Sequence, residues 1–408
     1  VCAGWWRATS RLGRNALPSP HVSASEEAYR GGDIPTAVQL AVEALELETS
    51  CRPQAQKALT DALGVYDLSD SFRDVRVLAL PSAPIKTALS PNGSRAAALA
   101  GSQILVFDSD RGNQLIALTA EPSALSDFVF SGEDTLLYAG KGALRACDLT
   151  TGQEIWSGQA ATGITLSADG STVAAIYKDA REAAVYHAKT GEILRTVSFG
   201  ERQQPIPAND VFADLDLSLF QLSGDGSWLA VSFSNGGLEV FDIKHGQRDL
   251  RILENSEYAR FEGGFFGPYF AFSAARDGES VFAVIDMEAG IQTGGFQAPN
   301  AFHVQAGETG ICVSMENTLV KLDPVTGDQQ ELAYTRQGIT SFARNGRHTL
   351  TLLADGSASF YDENGLLLDE LAMMCTFGDV AGEFALIGNR DVPSLRLFRL
   401  KRHPEDFS

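Results

Sequence analysis

Cysteine is scarce in this sequence, and the few cysteines present are widely spaced. There are 5 in 408 residues, an odd number, and none belongs to a Cys-X-X-Cys pair. No histidine lies at metal-ligand spacing from any of them. A disulfide framework and a zinc site are therefore disfavoured, and buried or incidental thiols are expected instead.

Long apolar runs and an excess of positive charge are missing as well. No window approaches the ~18 uninterrupted apolar residues of a membrane-spanning helix. The sequence has 32 basic and 52 acidic residues, which gives a formal net charge of −20. Such a field repels phosphate backbones and anionic lipid headgroups but attracts a basic protein surface. We therefore expect no nucleic-acid partner.

The motifs of common catalytic sites are absent too. The sequence has no Gly-X-Ser-X-Gly elbow, no phosphate-binding loop, no His-Glu-X-X-His pair and no Gly-X-Gly-X-X-Gly following a strand. The six histidines are scattered along the sequence. We therefore expect a protein that is not an enzyme and that has no catalytic residues, cofactor or metal.

What the sequence does contain is a repeat, a short β-rich run that ends in an acid and is followed by a glycine. Copies include VFDSDRG, ACDLTTG and VFDIKHG, and in VYHAKTG the acid is replaced by His187. The period is about 40 residues, which is typical of a four-stranded propeller blade. The acid–glycine pairs are Asp108–Gly112, Asp148–Gly152, Asp242–Gly246, Asp286–Gly290, Asp323–Gly327 and Asp362–Gly365.

Each part of the repeat has a physical role. The apolar run predicts a strand, the aspartate can accept hydrogen bonds from nearby backbone N–H groups to start a turn, and glycine tolerates the positive φ that the hairpin needs. A second series of turns, SPNG, SADG, SGDG and ARNG, marks the preceding hairpin of several repeats. Because the two series agree in spacing, the sequence predicts an all-β propeller.

Counting strands between the turns predicts eight blades. Eight sets of three strands can be recognised, and every set except the last is followed by a fourth strand. The run RDVRVLAL, at 73–80, precedes the first set and has no set of its own. It is predicted to complete the eighth blade, which closes the ring and removes a sheet edge. The propeller then spans 73–403, with a tail at 404–408; seven blades is the alternative if 201–257 is divided differently.

Residues 25–66 change to a helical period. The run SEEAYRGGDIPTAVQLAVEALEL predicts two short helices with an apolar stripe, capped by Ser25 and Asp33, and a third helix is predicted from Pro53 to Gly64. The alanine-rich faces resemble tetratricopeptide-like helix pairs. A helical cap packed on the propeller is the other interpretation.

The first 24 residues have tryptophans and arginines but no acidic residue. One interpretation is the end of a membrane helix, with interfacial Trp5 and Trp6 and flanking positive charge, which implies a membrane tether. The other is a disordered linker, favoured by the run ALPSPHVSAS. Residues 1–24 are therefore predicted to be a linker or a juxtamembrane tail, and both a cytoplasmic and a membrane-anchored location stay open.

Over 73–403 the sequence resembles the WD-repeat family, because the aromatic or aliphatic residue before each turn aspartate occupies the position of that family's tryptophan. The family's Gly-His pair is absent. Helices followed by a degenerate propeller also resemble the C-terminal sensor region of bacterial multidomain signalling and defence proteins, in which an effector such as a Toll/interleukin-1-receptor domain comes first. The resemblance implies a scaffold or sensor that acts on a protein partner or a fused effector domain.

Two other functions stay open at this stage. The run CDLTTGQEIWSG resembles the tryptophan-docking repeat of quinoprotein dehydrogenases, which are also eight-bladed. That resemblance implies that Trp156 packs between blades, and it makes a pyrroloquinoline quinone enzyme one alternative. The other alternative is a structural assembly propeller akin to outer-membrane assembly lipoproteins.

Two segments are predicted to contact a partner. The loop QQPIPANDVFADLDLS is an insertion between blades three and four, and its candidate contact residues are Asp210, Phe212, Asp214 and Asp216. The run RFEGGFFGPYFAF is either core or an exposed interaction patch, and its candidates are Phe265, Phe266 and Tyr269.

Overall fold

The fold is described from a computed structural model of the protein. The described residues are 20–30, 34–47, 55, 58–59, 71–119, 125–140, 143–177, 181–199, 217–233, 237–246, 249–253, 260–276, 279–298, 302–307 and 309–401. The protein divides into two units, of which one contains the N-terminal helices and the other is Ser71–Lys401. Among the described residues, no helix is long and apolar enough to cross a membrane.

The N-terminal unit contains two helices, α1 (Pro20–Arg30) and α2 (Ile34–Leu47). Their buried residues are small, and Val22 packs in one cluster with Ala41 and Ala44 of α2. Ser25 lies in the middle of α1, so its assignment as the cap of that helix is wrong. Its hydroxyl donates a hydrogen bond to the Ala37 carbonyl of α2 at 2.7 Å, which satisfies a fully buried polar group.

Two of the other helix predictions fall outside what the structure describes. Asp33, the predicted cap of the second helix, lies outside the described residues. The same holds for most of the predicted third helix, within which only Ala55, Ala58 and Leu59 are described, as helical.

In the second unit, the described residues form eight four-stranded antiparallel sheets, the blades of a β-propeller. The strands of blades 1 to 4 are β2 Pro84–Leu89, β3 Arg95–Ala100, β4 Gln103–Asp108, β5 Gln114–Thr119; β6 Leu125–Phe130, β7 Thr135–Gly140, β8 Leu144–Asp148, β9 Glu154–Gly158; β10 Gly163–Leu166, β11 Thr172–Tyr177, β12 Glu182–His187, β13 Ile193–Ser198; and β14 Leu217–Leu222, β15 Trp228–Phe233, β16 Leu238–Asp242, β17 Leu250–Leu253. Those of blades 5 to 8 are β18 Arg260–Phe266, β19 Tyr269–Arg276, β20 Glu279–Asp286, β21 Ile291–Ala298; β22 Phe302–Gly307, β23 Gly310–Met315, β24 Thr318–Leu322, β25 Gln329–Tyr334; β26 Ile339–Arg344, β27 Thr349–Leu353, β28 Ala358–Tyr361, β29 Leu367–Leu371; and β30 Phe377–Ala381, β31 Phe384–Gly388, β32 Ser394–Lys401 with β1 Ser71–Ala79. The eight-bladed fold is confirmed, and the seven-bladed alternative is wrong.

Blade 8 is built from both ends of the propeller sequence. Strand β1 pairs antiparallel with β32, in a register that places Ser71 opposite Lys401 and Leu78 opposite Leu395. The N-terminal strand is therefore the outermost strand of the last blade. Its backbone hydrogen bonds tie blade 8 to the segment that leads into blade 1.

The hydrophobic core is divided into clusters, each of which lies between two neighbouring blades. Leu99 and Phe128 share a cluster between blades 1 and 2. Between blades 7 and 8, the ring centroids of Phe360 and Phe398 lie 6.1 Å apart. Since neighbouring sheets cover both faces of a blade, its middle strands are apolar on both faces. The strand RAAALA, β3, shows this pattern with five consecutive buried residues.

The turns between the third and fourth strands follow one geometry. In the turn after β8, the Asp148 carboxylate accepts the N–H groups of Thr150 and Thr151 at 2.7 and 2.9 Å. These hydrogen bonds stabilise the charged form and lower the pKa of Asp148. Gly152 has a φ of +71°, and its N–H donates to the Asp148 carbonyl. The same glycine conformation occurs at Gly112, Gly246, Gly290, Gly327 and Gly365.

Candidate functional site

The first strand of each blade lies at the centre of the ring, where it contacts the first strands of adjacent blades. A cavity of about 480 Å³ opens between these strands. It is lined by β2, β6, β22, β26 and β30, by the start of β23 and by Ala168 in the turn after β10. The residues that line it therefore come from six blades, and the cavity lies in the central channel. We call this cavity, with the turns that border it at Ser90, Ala168, Thr309 and Asn345, the channel mouth.

Charged side chains connect the innermost strands of neighbouring blades. Lys86 of β2 forms a salt bridge with Asp127 of β6, and its ammonium group lies 5.6 Å from the centre of the Phe128 ring. The second oxygen of Asp127 accepts the backbone N–H of Ile164, on β10, at 2.9 Å. One carboxylate thus links blades 1, 2 and 3.

Asp379 makes the corresponding link between blades 8 and 1. Its Oδ2 accepts the N–H of Leu89 at 2.8 Å, and its Oδ1 accepts the N–H of Val380 at 2.8 Å. Burial raises the pKa of the Asp379 carboxyl, while these hydrogen bonds and the positive charge of Lys86 partly offset that effect. A carboxyl group with a raised pKa in a cavity is a functional candidate, but here both oxygens are occupied by backbone amides.

Further links continue around the ring. Nδ1 of His303, on β22, lies 2.9 Å from Oε2 of Glu262 on β18. Gln305 Nε2 donates to the carbonyl of Phe342, on β26, at 2.6 Å. Because these side chains join separate sheets, they position the strands that line the channel as well as giving it polar walls.

A pH-dependent stability difference is expected for Asp379→Asn. A raised folded-state pKa means that ionisation of Asp379 disfavours the folded state, so its contribution to stability is full at low pH and declines as pH rises through that pKa. The free energy of unfolding of the wild type relative to the variant should therefore be largest near pH 3.5 and fall toward pH 7. Urea titrations across this range measure it.

Asp148→Asn is the matched control, because the pH dependence of stability expected for this variant has the opposite sign. The lowered pKa of Asp148 means that its contribution is present at neutral pH and is lost as pH falls. The wild-type advantage over this variant should therefore grow with pH. Two curves with the same slope would contradict the assignment of Asp379 as a carboxyl group disfavoured by burial.

The predicted partner-binding residues that the structure describes do not line the channel mouth. Phe265 is only 3% exposed, and the centroid of its ring lies 4.7 Å from that of the Phe270 ring. It is therefore a core residue, which corrects its assignment as a partner-binding residue. Phe266 and Tyr269 pack against the cluster between blades 5 and 6 and are partly buried, so their role in binding stays a prediction. The other candidates, Asp210, Phe212, Asp214 and Asp216, lie outside the described residues.

Trp156 lies between blades 2 and 3. Its indole N–H donates to the carbonyl of Ala188 at 2.8 Å, and its ring stacks on Tyr186 with a centroid distance of 5.9 Å. This is the kind of packing that the quinoprotein resemblance implied for this residue. It is a contact between sheets, and the quinoprotein activity itself stays a prediction.

The described cysteines are buried thiols. Burial raises the pKa of Cys147 and Cys312, and it raises that of Cys375 to about 11. These groups therefore stay protonated at neutral pH and are poor nucleophiles. Within the described part of the protein, no group of three or more His, Cys, Asp and Glu side chains could hold a metal ion.

Sequence analysis missed the charged residues of the channel, although a signal for them exists. In four of the innermost strands the third residue is charged, and these residues are Lys86, Asp127, Glu262 and Asp379. Arg344, which also lines the cavity, is the last residue of β26. A charge that recurs at one position of otherwise apolar strands indicates a shared wall, and an alignment of the eight sets would have revealed it.

Comparison with known proteins shows similarity in fold alone. No family model matches the sequence, and neither does any curated protein. Among solved structures, the computationally designed Ika8 protein has a TM-score of 0.60, with 18% identity over 81% of this chain and 100% of that chain. BamB from Moraxella catarrhalis has a TM-score of 0.56, with 14% identity over 80% of this chain and 99% of that chain. The Dos1 propeller has a TM-score of 0.57, with 14% identity over 80% of this chain and 95% of that chain.

Proposed function

We propose that the protein is a non-catalytic protein-interaction module whose partner binds at the channel mouth. The observation that carries this proposal is the cavity of about 480 Å³ where six blades meet. Cavities of this size, with apolar walls and a few convergent polar groups, are typical of binding sites. Here the apolar part includes Phe128 and Phe342, and the polar part includes Lys86, Arg344 and Asp379.

The position of the cavity favours binding of a macromolecule. Its border is made of turns from separate blades, and such loops on a rigid scaffold commonly carry binding residues. The strands below them are joined by the blade-to-blade contacts of Asp127 and Asp379, so the border is preorganised. A preorganised surface loses little conformational entropy when a partner binds.

The chemistry of the described residues supports a non-catalytic role. The three described thiols are held in their protonated form by burial, and the Asp379 carboxylate is occupied by two backbone amides.

We further propose that the module serves as the sensor region of a bacterial signalling or defence protein and relays binding to a fused effector or a separate partner. This context rests on the sequence resemblance to WD-repeat sensor regions.

Substitution of two exposed alanines tests the binding surface. Ala168 lies on the border of the channel mouth, and Ala289 lies in the outer turn of blade 5. Ala168→Arg should reduce recovery of a partner from a lysate of the source cells at least tenfold, because the longer side chain obstructs the border of the mouth. Ala289→Arg, which adds the same side chain elsewhere, should leave recovery unchanged. The measurement is quantitative mass spectrometry of proteins retained by the immobilised full-length protein.

Equal recovery on the wild type and on Ala168→Arg would show that the channel mouth is not the binding surface. Loss with both variants would indicate a general effect of added charge. Chemical conversion of a retained partner during incubation would contradict the non-catalytic assignment.

A further inference from the structure

Arg344 is a basic side chain in the wall of the channel mouth, and no described carboxylate neutralises its charge. Its Nη1 donates to the carbonyl of Thr309 at 3.2 Å, and its Nη2 donates to the carbonyl of Gly346 at 3.4 Å. Its Nε is buried and has no hydrogen-bond acceptor. Among the described residues, no Asp or Glu carboxylate oxygen lies within 4.0 Å of its guanidinium nitrogens.

Two other partly buried arginines of the propeller, Arg95 and Arg195, contrast with Arg344. Arg95 forms an ion pair with Asp134, and Arg195 forms one with Asp249 at 3.0 Å. These pairs are expected in a protein with 52 acidic residues, since burying an uncompensated charge is costly. Arg344 therefore retains a positive charge that pairs with no acidic residue in the described part of the protein.

The neighbouring charges in the cavity do not compensate for Arg344. Lys86 is paired with Asp127, so it adds little net field. Asp379 lines the same cavity, but its oxygens accept the N–H groups of Leu89 and Val380. The wall of the cavity thus contains a guanidinium, that of Arg344, which can donate a charge-assisted hydrogen bond to an incoming acceptor.

We propose that the channel mouth recognises a carboxylate of a partner protein, from an Asp or Glu side chain or from the partner's C-terminus, with Arg344 as the residue that binds it. This inference rests on the proposed function of the mouth and specifies the chemistry of its ligand. The planar guanidinium matches a carboxylate in geometry. The net charge of −20 repels a polyanion, whereas its repulsion of a single negative charge on a peptide is much weaker.

The test uses the full-length protein and two peptides that differ only in charge. Acetyl-Gly-Glu-Gly-amide should raise the melting temperature of the wild type in a concentration-dependent manner, whereas acetyl-Gly-Gln-Gly-amide should not. Arg344→Gln should shift the midpoint of this effect at least tenfold to higher concentration, because the charged donor is lost. Arg347→Gln is the matched control, since Arg347 is exposed and belongs to the same turn. It should leave the midpoint unchanged.

Several outcomes would overturn the proposal. These are equal effects of the two peptides, an unchanged midpoint in Arg344→Gln, an equal shift in Arg347→Gln, or stronger stabilisation by inorganic phosphate than by the Glu peptide at matched ionic strength. Arg344→Lys, which retains the charge, separates misfolding from lost recognition, and it should keep part of the effect. If Ala168→Arg abolishes partner capture while the Glu peptide has no effect, the mouth binds its partner without carboxylate recognition, so only this inference fails.

Discussion

Gly382→Ala is expected to lower the free energy of unfolding by about 3–5 kcal/mol. Gly382 has a φ of +54°, and a Cβ at this position would lie 1.9 Å from the carbonyl oxygen of Asn92. The contact is reciprocal, because a Cβ at Gly93 would lie 2.2 Å from the carbonyl oxygen of Ala381. Two turns, one from blade 8 and one from blade 1, therefore pass backbone against backbone where the ring closes. Neither turn can accept a side chain without moving the other.

Gly290→Ala separates the clash from the conformational strain. Gly290 has a φ of +69°, but a Cβ there would meet nothing within 4 Å. Its substitution should cost only about 1–2 kcal/mol, the strain of a left-handed residue. Equilibrium unfolding in guanidinium chloride of the wild type and both variants gives the comparison. Equal losses in the two variants would show that the blade 8 and blade 1 turns have room to separate.

Leu78→Ala is expected to cost about 2–5 kcal/mol, the range for removing a large aliphatic side chain from a packed core. Leu78 is 1% exposed, and it lies on β1, in the cluster that joins blades 8 and 1. We expect the pairing of β1 with β32 to weaken first, because the four strands of every other blade come from one continuous segment. Hydrogen exchange of the β32 amides should therefore accelerate more than that of amides in blade 4.

Val77→Ala is the control in the same strand. Val77 is 62% exposed, so its truncation removes little packing and should change stability by less than about 0.5 kcal/mol. A similar loss in both variants would mean that the burial of Leu78 is not the source of the effect. An unchanged stability in Leu78→Ala would mean that the packing of its side chain does not contribute to closing the ring.

The local parts of the structure were predictable because their causes are local. A turn such as that of Asp148 and Gly152 depends on hydrogen bonds over two to four residues and on one positive φ. The repeat of these turns sets the blade length, and the number of strands then gives eight blades. The closing strand was predictable for a topological reason. The run at 73–80 belongs to none of the eight sets, and the last set lacks a fourth strand, so pairing the two closes the ring.

The errors arise where one local pattern is compatible with two environments. A serine before a run of acids is typical of a helix cap, but α1 begins earlier and Ser25 instead contacts α2. The aromatic run around Phe265 fits both a core and a surface patch. Burial decided between them, because neighbouring blades cover both faces of each sheet.

By itself the sequence determined the strands, the turns and their number, since hydrophobic period and turn chemistry act over a few residues. It also determined the net charge and the scarcity of reactive groups. The contacts between the residues of the channel were decided by the tertiary structure. Asp379 and Leu89 are 290 residues apart, and only closure of the ring brings the carboxylate to the amide. The same closure places Arg344 of blade 7 and Lys86 of blade 1 in the wall of one cavity. The recurring position of the charged residues marks them as facing the channel, but which of them lie close together depends on the geometry of the whole ring.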